Sequence, residues 1–92
     1  MEKMEKLEMM DKILRELDDL KNSQNSIMKK IGQIEADNIN LGAKILEEGL
    51  PDIFDGIDKN VQLITSLEEK FQEHRDKFFK DNNLAASVDP TA

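Results

Sequence analysis

The sequence predicts an all-α fold: an antiparallel helical hairpin that associates into an oligomeric coiled-coil or helical bundle. Three observations predict it. Apolar residues recur three and four apart from Met10 to Ile45, a Gly-Leu-Pro step interrupts at Gly49-Leu50-Pro51, and a second series with the same repeat follows from Ile53 to Phe78. A repeat held in one phase over five heptads is a specific signal for a helix that packs lengthwise on other helices.

With Met10 at heptad position a, the a positions of the first helix are Met10, Leu17, Gln24, Ile31, Asn38 and Ile45. The d positions are Ile13, Leu20, Ile27, Ile34, Leu41 and Glu48. The charged stretch before Met10 extends this helix upstream with frayed ends, so it spans about residues 3–48. Residues 22–26, Asn-Ser-Gln-Asn-Ser, are poor helix formers. The heptad phase is nevertheless the same on both sides, and no capping box follows. One continuous helix is therefore expected rather than two. Gly49 suits the left-handed residue of a Schellman cap, and Pro51 prevents continuation.

The second helix is expected over about residues 52–80. Its start would be marked by Asp52 and Asp55, and its negative end would be complemented by Lys77 and Lys80. Its a positions are Leu50, Ile57, Ile64, Phe71 and Phe78, and its d positions are Ile53, Asn60, Leu67 and His74. Asn82 and Asn83 mark its stop. Residues 1–83 then form the helical domain, and residues 84–92, without a period, form a mobile tail.

In a hairpin that turns at Gly49, facing residues have numbers with a constant sum. A sum of 98 pairs Asn38 with Asn60 and Gln24 with His74, so polar layers meet polar layers and set the register. It also pairs Ile31 with Leu67 and Leu20 with Phe78. In this register the shorter second helix leaves an N-terminal overhang carrying Met9, Met10, Ile13, Leu14 and Leu17. Leaving five such side chains in water forfeits on the order of 5–10 kcal/mol. The flanking residues Leu14, Met28, Phe54, Val61 and Leu63 widen the stripe beyond a two-helix seam. The expected oligomer interface is thus Met10, Ile13, Leu14, Leu17, Leu20, Met28, Phe54, Val61 and Leu63.

Composition narrows the function. The chain has 92 residues, enough for one domain; 36% are charged and 4% aromatic, all Phe, as suits helix-helix seams rather than a compact globule. A net charge of −7 argues against nucleic acid and anionic membrane surfaces. No apolar run is long enough for membrane insertion, and the charged start lacks the apolar core of a secretory signal, so an intracellular, cytoplasmic location is expected. There is no cysteine, hence no disulfide framework and no thiolate metal site.

Chemistry-bearing patterns are weak. Asp52, Asp55 and Asp58 are spaced by three, whereas an EF-hand loop spaces its ligands by two and ends on a distal Glu. They read as helix-start charges. His74 stands without a Glu-x-x-His or His-Glu-x-x-His partner set. No cofactor and no enzymatic activity are expected, since no converging catalytic groups can be assembled. The expected function is assembly through homo-oligomeric coiled-coil packing, with a dimer favoured over a trimer. The alternative is a subunit of a hetero-oligomeric helical complex, an adaptor or tether whose overhang binds a different helical protein.

Overall fold

The computed structural model describes residues 2–84. They form two helices, α1 (Lys3–Leu41) and α2 (Lys44–Asp81), packed along their length as a rod with extents of 63 × 22 × 20 Å. Among the described residues there is no strand.

The first helix runs unbroken through residues 22–26, as the common heptad phase requires. Ser26 accommodates itself by donating its hydroxyl to the Asn22 carbonyl one turn back, at 3.1 Å. The helix ends earlier than the expected residue 48. Gly42 takes the left-handed conformation (φ 68°, ψ 29°), and its N–H donates to the Asn38 carbonyl at 2.7 Å. That single bond from the left-handed residue is the αL termination motif. The Asn38 side chain then holds the next peptide from both sides. Its Oδ1 accepts from the Ala43 N–H at 2.9 Å, and its Nδ2 donates to the Ala43 carbonyl at 3.1 Å. Two residues thus reverse the chain.

The Gly49-Leu50-Pro51 step is therefore not the turn; it lies inside α2, with Leu50 buried in the seam. Competing costs explain why. A proline in a helix interior costs about 3 kcal/mol. A turn at residue 49 would leave the apolar residues before Leu20 uncovered, at a larger cost on the order of 5–10 kcal/mol. Turning at Gly42 gives helices of 39 and 38 residues, which cover each other almost completely. The overhang vanishes, and Leu7, near the start of α1, is buried.

Moving the turn also moves the register. Lys21 meets Glu68 at 3.4 Å and Asp11 meets Arg75 at 2.8 Å, so facing numbers add to 89 and 86, not to 98. Asn38 therefore does not face Asn60, nor Ile31 Leu67, nor does Gln24 reach His74. Asn38 and Leu50, Ile31 and Ile57, and Leu17 and Phe71 stand at matching levels, adding to 88. Asp52, Asp55 and Asp58 lie well inside α2 rather than at its start, where Glu47 supplies the first-turn acid.

The second helix closes where the paired asparagines place its end. Asn83 is left-handed (φ 52°), its N–H reaches the Lys80 carbonyl, and the Leu84 N–H reaches the Phe79 carbonyl, both at 3.1 Å. This is a Schellman motif, whose apolar residue past the cap folds back on the helix. Leu84 is accordingly buried and does not belong to a mobile tail. The rest of that expectation, residues 85–92, lies outside the described residues.

The position of the turn has two consequences for stability. Pro51→Ala is expected to raise the unfolding free energy by about 2–3 kcal/mol, read from the denaturant midpoint, because the residue sits in a helix interior. A neutral or destabilising effect would place a turn there. Asn38→Leu is expected to lower stability by about 1–3 kcal/mol although it makes the seam more apolar, because the Ala43 N–H loses its partner while the Ala43 carbonyl keeps the N–H groups of Leu46 and Glu47. A gain in melting temperature would show that Asn38 acts only as a polar seam residue.

Candidate functional site

Three heptad positions of each helix carry apolar residues, and the hairpin uses two of them. In α1 the inward side chains are the a residues Met10, Leu17, Gln24, Ile31 and Asn38 with Leu7, Leu14, Lys21 and Met28, which occupy e. In α2 they are Leu50, Ile57, Ile64, Phe71 and Phe78 at a, with Val61, Glu68 and Arg75 at e. All of these are buried or half-buried. The seam inside the hairpin is thus an a/e seam.

The d positions remain outside. Ile13, Leu20, Ile27, Ile34 and Leu41 follow one another at intervals of seven, with exposures of 37%, 46%, 38%, 44% and 72%. On α2 the d residues Ile53 and Leu67 are also exposed, as are Asn60 and His74. Successive residues turn by about 100°, which sets d roughly 80° from the middle of an a/e seam. The helices run in opposite directions, so this one offset brings both d stripes to the same side of the hairpin. Their levels also match: Ile13 with His74, Leu20 with Leu67, Ile27 with Asn60 and Ile34 with Ile53 all add to 87. The result is one face, two helices wide, apolar except for Asn60 and His74, with Leu63 on its edge. From Ile13 to Leu41 it is about 42 Å long. Isolated exposed leucines are ordinary, but a periodic face of this extent is not.

The expected interface residues thus divide. Met10, Leu14, Leu17, Met28 and Val61 fill the seam inside the hairpin, while Ile13, Leu20 and Leu63 lie on or beside the outer face. Phe54, on the opposite flank, borders a groove with Gly32, Glu35, Pro51 and Asp55. Ile27, Ile34, Leu41, Ile53 and Leu67 belong to the face, whereas a turn at Gly49 would place them in the inner seam. The seven-residue interval of the d stripe was visible in the sequence; which partner helix each stripe meets depends on the turn.

Polar groups sit inside the seam. Arg75 donates to both carboxylate oxygens of Asp11, from Nε at 2.8 Å and from Nη2 at 3.5 Å, and lies over the Phe79 ring at 5.0 Å. The Asp11 hydrogen bond raises the Arg75 pKa above its ordinary value, more than burial lowers it, and Asp76 adds to the rise. Nearer the middle, Lys21 reaches Glu68, while Glu68 Oε1 and Gln24 Oε1 are buried without a hydrogen-bond partner. His74 is exposed, its ring stacked on Phe71 at 5.9 Å between centroids.

Chemical sites are sparse. Among the described residues no three His, Asp or Glu side chains converge as a metal site would need, and no helix is long and apolar enough to cross a membrane. A cleft beside the turn, lined by Glu35, Asn38, Leu46, Glu47, Leu50 and Pro51, encloses about 210 Å³. That is smaller than the ~300 Å³ at which ligand pockets begin; two hollows beside Leu14 are larger, about 430 and 440 Å³, but are open grooves lined mainly by charged and polar side chains.

The middle polar layer generates a prediction. Replacing it as a unit, Lys21→Met with Glu68→Leu, is expected to leave stability unchanged or raise it by ~1–3 kcal/mol, since apolar isosteres of an enclosed ion pair avoid its desolvation. Chemical denaturation checks this. A loss above about 1 kcal/mol would mean that the layer contributes net stability.

Comparison of the chain with protein-family models, with characterised proteins and with solved structures finds no match.

Proposed function

We propose that this chain is a non-enzymatic assembly module that works by homo-oligomeric helical packing, most simply as a dimer of hairpins. The single observation that carries the proposal is the d-position face, periodic, two helices wide and uncovered in one hairpin. Its position is not the expected one. The N-terminal overhang is gone, and association runs along the flank of the rod instead.

The energetics are adequate. Completing the burial of seven large side chains that are now about half exposed releases roughly 5–10 kcal/mol per chain. Two such faces together exceed or match the ~4–15 kcal/mol that association costs in lost freedom and ordering. Asn60 and His74 within the face would restrict the registers in which it can pair, as polar seam residues do.

Sedimentation equilibrium at micromolar concentration tests the proposal. The native chain is expected to be an oligomer. Leu20→Asp with Ile34→Asp, which places unpaired carboxylates on the face, is expected to give a monomer of nearly unchanged helicity by circular dichroism. Ile31→Asp, inside the a/e seam, is expected to lose helicity as well. A native chain that stays monomeric, well folded and unaffected by the double substitution would overturn the proposal and leave the face to a helical protein of different sequence.

A further inference from the structure

Given the assembly reading above, on which this inference rests, we infer that the partner is a second copy of this chain, placed face to face with its turn at the same end. The two-fold axis runs along the rod, so each α1 packs between its own α2 and that of the second copy.

Size favours a second copy. The face is about 42 Å by about 20 Å, on the order of 800 Å² per chain, which is what one side of a standard stable interface buries. Two symmetric pairings are open to it. In one, the turns lie together and α1 meets the other copy's α2. In the other, the turns lie at opposite ends and each helix meets its own copy about a centre at Ile27 and Asn60. Both bring Asn60 level with Asn60 of the second copy, so this residue does not choose between them.

The charges along the edges of the face do choose. At the g positions, which border the d stripe, α1 carries Glu16, Lys30 and Asp37, whereas α2 carries Lys70 and Lys77 and no acid. With the turns together, Glu16 stands level with Lys70 of the second copy, and the pairing occurs twice by symmetry. With the turns opposed, Glu16 stands level with Asp37 of the second copy, again twice, while Lys70 and Lys77 stand level with the uncharged edge at the start of the second α2 and meet no acid. Like charges held across a seam are unfavourable, and opposite charges there fix partner and orientation.

The lack of native cysteine allows a direct test on the full chain. A nitroxide attached through Asn40→Cys, on an exposed position outside the face, reports the distance between the two turns by pulsed electron resonance. Turns together place the labels roughly 15–35 Å apart, from helix spacings of 8–10 Å and the label arms. Turns opposed place them about 40 Å apart or more, from the axial offset alone. A second measurement is the dimer dissociation constant at low salt. Glu16→Lys is expected to weaken the dimer about 2–10-fold, and Lys70→Glu added to it to restore the affinity. A dimer with the long distance, or one strengthened by Glu16→Lys, overturns this inference and leaves the assembly reading standing. A chain that is monomeric throughout overturns both.

Discussion

The fold depends on one side-chain amide. Asn38 occupies a core position of α1 and is 5% exposed, yet both ends of its amide are spent on the Ala43 peptide. A buried amide must find partners, because leaving it unpaired costs ~1–3 kcal/mol per group. Here it is satisfied by the reversal of the chain directly after Gly42. The reversal fixes which residues of the two helices are level, and hence which of three apolar stripes is buried. Everything downstream, from the ion pairs to the exposed face, follows from that two-residue turn.

Register along the rod is reinforced by charge rather than by apolar fit. An a/e seam of Ile, Leu, Met and Phe packs tolerably after a slip of one heptad, because the pattern repeats. Asp11 with Arg75 and Lys21 with Glu68 do not repeat. A slip would part both pairs and leave four charges partly enclosed without partners, which costs far more than an intact pair contributes. The unpaired oxygens on Gln24 and Glu68 show the other side of this: the polar middle of the rod trades stability for a defined alignment.

The division of apolar residues into three stripes bears on function. A helix with a and d stripes alone has one partner. A helix with a, d and e stripes has a face wide enough for two. Both helices of this chain are of the second kind, and the hairpin supplies each with only one neighbour. The d stripe is the more apolar of the two outer choices on α1, with Ile or Leu at every position from Ile13 to Leu41, whereas the e stripe includes Lys21. Such a surplus suits the assembly with further helices proposed above.

The sequence by itself determined that the chain is helical, that α1 is continuous across residues 22–26, that α2 stops at Asn82 and Asn83, and that apolar stripes exceed what two helices can cover. These follow from periodicity and capping, which are local. The place of the turn was legible only in part. Gly49 and Pro51 form the stronger local stop, while Gly42 is masked because Leu41 and Ile45 continue the repeat. The choice between them belongs to the tertiary structure: covering the start of α1 outweighs the cost of a proline in a helix, and that comparison needs both helices at once. With the turn displaced by about seven residues, the a residues from Met10 to Asn38 stayed inside, Ile45 passed into the exposed start of α2, and the d residues moved out. A shift near one heptad preserves the pattern of each helix and changes only its neighbours, which no reading of one helix at a time can detect.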